Sequence, residues 1–391
     1  MKTRMIVTLL LILGISASGF AQEADSLMKQ VLENNRLLVA AREAYQLALL
    51  EAGIGNTPPD PEVEFGYLFG KPADLGHRID FGVSQQVDFP TAYVHRSTIR
   101  EIKNSKADLE YQLIRQQVLT QARQLWIEQL HLNQLQDLLQ QRLESAKSVQ
   151  SHVEQKTKVG EVSPLEFSQA SLMLASTEGE HEELLAYLHN NELALNEISG
   201  GAQVVISQGD FPQSISINED TLLAAYMEGP GIQLYQFELQ QKQAQKSLAL
   251  SEHLPKLSAG YFSETVNASG YRGLKLGISL PLWEKARTVK KAKTDIMYAD
   301  AELNRIIHKQ EMEIRQKLKE REMLRKRVLG LEEALSFINS LELLTTSMEN
   351  GEISLTEYFY SSDYFFRNQQ LLLQYKRDLL SLEADLLKIY F

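Results

Sequence analysis

Ten prolines are spread unevenly along the 391 residues, and their placement constrains the fold more than any other feature. They stand at positions 58, 59, 61, 72, 90, 164, 212, 230, 255 and 281, leaving none between Thr91 and Ser163 and none after Pro281. Proline removes a backbone donor and clashes with the preceding turn, so helix interiors exclude it. Both proline-free spans are rich in Leu, Gln, Glu, Lys, Arg and Ala, which favour helix. In the first, apolar residues recur at Ala122, Leu125, Leu132, Leu135, Leu139, Ala146, Val149 and Val153. In the second they recur at Ile314, Leu318, Leu324, Val328, Leu331, Leu335, Ile338 and Leu341. Apart from the step of six between Leu318 and Leu324, the spacings are three, four and seven, which make the seam of a coiled coil. A helix of about 60 residues runs about 90 Å, far beyond an ordinary globular helix.

Each span is cut once by a glycine phrase, "KVGEVSPLEF" from Lys158 and "ENGEISLTEYF" from Glu349. Glycine supplies the left-handed conformation that ends a helix. Ser163 and Ser354 then read as N-caps, with Glu166 and Glu357 three residues on completing capping boxes and Pro164 at the first helical position.

The echo belongs to an internal repeat, a feature that decides architecture where it occurs. "ADSLMKQVLENNRLLVAAREAYQLALLEAG" (Ala24–Gly53) parallels "EDTLLAAYMEGPGIQLYQFELQQKQAQKSL" (Glu219–Leu248). "PEVEFGY" from Pro61 parallels "PKLSAGY" from Pro255, and "FGVSQ" from Phe81 parallels "LGISL" from Leu276. Each half reads helix, strand, strand, long helix, glycine turn, long helix. The first repeat spans residues 22–198, with strands at 61–70 and 79–88 and a hairpin tip at 159–163. The second spans 221–391, with strands at 257–266 and 272–281 and a tip at 350–354. Residues 199–220, rich in Gly, Ser and Pro, connect them.

The strands alternate. Val63, Phe65, Tyr67 and Phe69 oppose Glu62, Glu64 and Gly66; Ile79, Phe81, Val83 and Val87 oppose Asp80, Gly82, Ser84 and Gln86. Leu274, Leu276, Ile278 and Leu280 oppose Lys275, Gly277 and Ser279, while Leu257–Thr265 alternates more weakly. Strands of about ten residues with this alternation suit an outer-membrane barrel, and a soluble sheet packed on helices is the alternative. Four strands cannot close a barrel alone, whereas three copies would supply twelve.

"MKTRMIVTLLLILGISASGFAQ" has a basic start, a short apolar run and small residues at Gly19 and Ala21. It reads as a signal peptide, residues 1–21, cut after Ala21. The chain lacks cysteine, which excludes a lipid attachment site, disulfides and thiol catalysis. No later run approaches the 18 or so apolar residues of a membrane helix. The formal charge of -11 disfavours nucleic acid, whose phosphates call for clustered Lys and Arg.

Catalytic patterns are missing. None of the eight His residues forms an H-E-x-x-H zinc pattern; His181 and His189 lie eight apart, but Glu182 and Glu183 do not complete a ligand set. There is no phosphate-binding loop or nucleophile elbow. The nine Met residues do not form a copper-binding series. The late aromatics Tyr358, Phe359, Tyr360, Tyr364, Phe365 and Phe366 suit helix packing and contacts between copies. The expectation is a protein that is not an enzyme and needs no cofactor or metal.

Taken together, the duplicated plan, "VEFGYLFG", "RIDFGVSQQVDFPTAY", "LGISLPLW" and the tail from Gly351 resemble the TolC family of outer-membrane efflux channels. The likeness covers the mature chain and is greatest to members serving heavy-metal-type resistance-nodulation-division pumps. It implies a mainly α fold with a β-barrel part: long helical hairpins forming a tunnel through the periplasm, and four strands per chain in a trimeric twelve-stranded barrel. It implies as partners two further copies, a periplasmic adaptor (membrane fusion) protein, an inner-membrane pump and outer-membrane lipid. The family's tip phrase docks the adaptor; Val159, Gly160, Glu161, Val162 and Ser163 match it. Gly351, Glu352, Ile353 and Ser354 match in the second copy, where Asn350 replaces the valine. Glu166 and Glu357 occupy the place of the charged residues that narrow the family's periplasmic gate. Six carboxylates gathered there by threefold symmetry would favour cations. The implied function is a passive exit duct for cations or small molecules. A duct for type I protein secretion and a periplasmic coiled-coil scaffold are the alternatives.

Overall fold

The computed structural model describes residues 20–71, 76–202, 204, 206, 209–267, 269–279, 287–336 and 341–391. All but the last two residues of the expected signal peptide therefore lie outside the described residues, as do Leu280, Pro281 and Ile338. The chain forms two compact units. One gathers residues up to Val39, Arg115–Asn218 and Ile314–Phe391; the other gathers Ala40–Ile114 and Glu219–Glu313.

Helix α1 (Phe20–Asn34) gives way to α2 (Arg36–Gly53). The single helix expected over Ala24–Gly53 is thus two. Asn35 makes the break: its side-chain oxygen accepts from the Leu38 N–H at 3.0 Å, and its amide donates to the Ile198 carbonyl at 2.7 Å. The second repeat breaks at the equivalent place, between α5 (Glu219–Met227) and α6 (Pro230–Ser251). There Pro230 takes the first position of the new helix, where its missing N–H costs nothing.

The first proline-free span holds the longest helix, Pro164 starts the helix that follows it, and the second span holds the rest. Helix α3 (Pro90–Lys158) is 69 residues and α4 (Pro164–Ile198) is 35. Helix α7 (Thr288–Ser336) is 49 residues; α8 (Leu341–Glu349) and α9 (Leu355–Leu386) follow. The periodic residues face inward. Ala122, Leu132, Leu139, Ala146, Val149 and Val153 are buried on α3, and Ile314, Leu318, Leu324 and Val328 on α7. Leu132 and Leu139 pack on Leu184 and Leu188 of α4; Leu324 and Val328 pack on Leu379 of α9.

Strands β1 (Glu62–Phe69), β2 (His77–Val87), β3 (Lys256–Val266) and β4 (Ser269–Ser279) form one antiparallel sheet in that order. The two repeats therefore meet at β2 and β3, Val83 opposite Tyr261. Strand β4 begins three residues before the sequence expectation. Only residues 267–268 separate it from β3, and Asn267 takes a left-handed φ of 47°, the turn geometry that lets pairing run to the loop.

The connector is tied into its own unit. Arg321 of α7 donates to Glu383 of α9 at 2.8 Å and to the Ile215 carbonyl, and the Ser214 hydroxyl donates to the same Glu383 at 2.6 Å. Both charged groups are buried, so each depends on the other for compensation.

Candidate functional site: the hairpin turns and the two-faced sheet

The two glycine turns have the same geometry. Helix α3 ends with Gly160 at φ 78°; the Gly160 N–H donates to the Thr157 carbonyl at 3.1 Å and the Glu161 N–H to Lys156 at 3.0 Å. Gly351, at φ 76°, repeats this with Met348 at 3.1 Å and Glu352 with Ser347 at 2.8 Å. This nested pair of bonds satisfies the last helical carbonyls and needs a left-handed residue. A Cβ at either glycine would meet no atom within 4 Å. The demand for glycine is therefore one of backbone conformation and not of space.

Both capping boxes form. Ser163 accepts from the Glu166 N–H at 3.3 Å, while Glu166 Oε2 accepts from the Ser163 N–H at 3.0 Å and hydroxyl at 2.8 Å. Ser354 and Glu357 make the same three bonds at 3.2, 2.8 and 2.8 Å. In both, the backbone N–H and then the hydroxyl of the serine hold the carboxyl below its ordinary value. Only Oε2 is used. The second oxygen of each carboxylate has no hydrogen-bond partner among the described residues. One oxygen thus caps the helix while the other is free to act on something outside the turn.

The turns are joined by a shared apolar cluster. Val149 and Val153 of α3 and Ala170 of α4 pack with Met348 of α8 and Tyr358 of α9. Val162 and Ile353, the apolar residues of the two tip phrases, pack against that cluster. Both are half-buried, and the most exposed apolar side chains of the first tip are others. Val159 is 71% exposed and Leu165 68% exposed. Their counterparts in the second repeat, Asn350 and Thr356, are exposed and polar. The first tip therefore presents apolar surface and the second polar surface. Leu165 was readable from the paired phrases, where "SPLEF" sets Leu against the Thr of "SLTEY".

Above the turns, Ser145 and Tyr358 share a 2.7 Å hydrogen bond between α3 and α9. Buried Arg142 of α3 reaches Glu180 of α4 at 2.7 Å and Asp363 of α9 at 3.4 Å, with its guanidinium 5.4 Å from the Phe366 ring centre. One arginine thereby ties the two hairpins together. No local motif marks it, because its partners lie 38 and 221 residues away. Of the late aromatics, Tyr358, Phe365 and Phe366 are buried, while Tyr360 and Tyr364 are exposed.

The sheet has two unlike faces, set by its register. One carries Val63, Phe65, Tyr67 and Phe69, then Ile79, Phe81 and Val83, then Leu257 and Tyr261, then Leu274, Leu276 and Ile278. Most of these are exposed, Leu274 by 86%. The other face carries Glu62, Glu64, Asp80 and Glu264 against Arg78 and Lys275. Arg78 sits 2.8 Å from Asp80 and 3.3 Å from Glu264. The Lys275 ammonium lies 5.7 Å from the ring centre of Phe262, which sits against Gly82, where a Cβ would approach its ring to 3.1 Å. Lys256, at the foot of β3, pairs with Asp88 at 3.3 Å. The polar face thus keeps an excess of carboxylates. Strands β1 and β4 each have one edge that no described strand pairs.

Among the described residues, no group of three or more His, Asp or Glu is placed to hold a metal, and no helix is long and apolar enough to cross a membrane.

Residues 27–201, nearly the whole first repeat, match the model of the outer membrane efflux protein family. Solved structures extend the likeness to the second repeat. The CmeC outer membrane channel of Campylobacter jejuni superposes with a TM-score of 0.77 at 19% identity, covering 94% of this chain and 85% of its own. The outer membrane protein VceC of Vibrio cholerae gives 0.78 at 15% identity, covering 94% and 96%. CusC, whose structures concern transmembrane channel formation, gives 0.72 at 16% identity, covering 94% and 92%. No curated protein matches the chain at a significant level. At these identities the structures speak for the fold: a mainly helical chain with a small four-stranded sheet, built as TolC-like channels are built.

Proposed function

We propose that the protein is the outer-membrane exit duct of a tripartite efflux system, assembled as a homotrimer. The observation that carries this is the sheet. Two open edges, a broadly exposed apolar face and an acidic opposite face suit a barrel completed by other copies, with lipid outside and water inside. An isolated soluble sheet of this composition would leave an apolar patch that invites aggregation.

On this reading β1 of one copy pairs with β4 of the next, and three copies give twelve strands. The long helices line a periplasmic passage. An inner-membrane resistance-nodulation-division pump supplies the energy, and a periplasmic adaptor couples to the tips. The docking surface is asymmetric: Val159 and Leu165 offer apolar contacts, whereas Asn350 and Thr356 offer hydrogen bonds. Gly160, Glu161, Ser163, Gly351, Glu352 and Ser354 shape the turns, and Val162 and Ile353 hold them from within. The unused carboxylate oxygens of Glu166 and Glu357 supply a negative ring at the periplasmic entrance. That ring and the acidic sheet face favour cationic cargo, heavy-metal ions among them.

The test is fractionation followed by conductance. The protein should sediment with outer membranes, need detergent for extraction and pass cations over anions in planar bilayers. Charge removal by Glu62→Gln with Glu64→Gln, or by Glu166→Gln with Glu357→Gln, should lower that preference. Recovery as a soluble periplasmic monomer would end the proposal, and anion preference would end its cargo assignment.

A further inference from the structure

Every other side chain on the apolar sheet face is apolar, aromatic or hydroxyl-bearing, apart from Gln85 and the two nitrogen bases Arg272 and His77. His77 stacks on Tyr67, ring centres 5.4 Å apart, beside the β1–β2 loop. Arg272 lies on β4, three residues after the strand leaves its two-residue turn, opposite Ser263. It is exposed. No carboxylate among the described residues pairs with it. Glu264, the nearest acid along β3, is on the opposite face and bound to Arg78.

The proposed assembly does not supply a partner either. The strand that would join β4 is a neighbour's β1, whose residues on this face are Val63, Phe65, Tyr67 and Phe69. The arginine is thus left without a counter-charge on the face that the barrel reading turns toward lipid. A cation there is costly at mid-membrane and nearly free of cost near the interface. The face itself shows which level applies. Toward the helices it is a band of Leu274, Leu276, Ile278, Leu257 and Val83. Toward the turns Ser263, Thr265 and His77 are set among the aromatic and apolar side chains of Phe65, Phe81, Tyr67, Ile79 and Phe69, the kind of aromatic girdle found at a barrel's interface. Arg272 lies in the first row of that girdle, with Phe65, Phe81 and Ser263, so on the barrel reading it is near the interface.

We propose that Arg272 binds the phosphate of a phosphorylated lipid in the outer leaflet. This rests on the barrel reading above. A guanidinium is a planar fork matched to two phosphate oxygens, and is more weakly hydrated than an ammonium. Three copies would place three such sites around the barrel rim, each open to lipid laterally.

The test is lipid retention by the purified trimer, read by native mass spectrometry. The probes are a bis-phosphorylated glycolipid and its dephosphorylated form. The wild type should retain the phosphorylated lipid about fivefold better, the worth of one basic side chain at an anionic lipid surface. Arg272→Gln should remove the preference and Arg272→Lys should keep part of it. Equal retention of both lipids by wild type and Arg272→Gln overturns the assignment. Failure of the barrel reading looks different: a protein that stays in solution without detergent and retains neither lipid.

Discussion

At the scale of single residues, Gly160 and Gly351 show how one dihedral angle is selected. Nothing crowds either position, so any side chain is opposed only by its own backbone at φ 78° or 76°. Left-handed backbone costs an ordinary residue roughly 1–2 kcal/mol, and asparagine less because it tolerates that region. Gly160→Ala and Gly160→Val should lower the melting temperature, with Gly160→Asn closer to wild type. Equal stability of all three would contradict the turn assignment. His131 is a second case. It is 7% exposed on α3, and burial, then the nearby Arg377 charge, pushes it down to about 4. In the unfolded chain it takes up a proton near pH 6.5, while in the folded chain it does not until about pH 4. The unfolded state therefore binds more protons across that window, and stability falls as pH falls through it. The loss should reach about 3 kcal/mol, at 1.36 kcal/mol per unit. Glu128, whose carboxyl burial raises, acts in the opposite sense. Comparing wild type with His131→Gln isolates the histidine: thermal melts at pH 7 and pH 4.5 should show a smaller acid loss in the variant. Equal losses would contradict the burial argument.

Among elements, the hairpin turns and strand faces were legible in the sequence because each rests on local signals. A glycine with a serine three residues on and a glutamate three after that writes the turn, and period-two alternation writes the faces. The breaks at Asn35 and Pro230 were less legible. Pro230 is a plain helix start, but Asn35 interrupts its helix only by capping α2 and reaching Ile198, a contact 163 residues distant. The repeat held the missing signal, since Asn35 and Pro230 occupy equivalent positions. Arg142 had no such echo and could be recognised only once α3, α4 and α9 were packed. The tips carry a prediction at this scale. Their repeats are alike in backbone and unlike in surface, so an adaptor should distinguish them. Burying a valine or leucine is worth about 1.5–3 kcal/mol, so Val159→Ser or Leu165→Ser should weaken adaptor binding roughly tenfold or more. Asn350→Ser and Thr356→Ser should change it little. Binding assays showing the reverse order would contradict the asymmetry.

For the whole molecule, the proposed trimer asks other copies of the chain to complete the sheet. Among the described residues its sheet ends in two open edges and its apolar face has no cover, and its carboxylates gather on the side that closure would turn inward. Each observation has a separate physical cost in isolation, and one arrangement relieves all of them. That arrangement can be read directly, because the chain lacks cysteine and any engineered pair reports without background. The decisive measurement is disulfide trapping in outer membranes. Glu64→Cys on β1 would be combined in turn with Tyr271→Cys, Gly273→Cys and Lys275→Cys on β4, positions that face the same side of the sheet. The account predicts that one of these pairs yields a covalent trimer on oxidation, reversed by reductant. Cysteines that react with a soluble thiol probe yet give only monomers in all three pairs would contradict it.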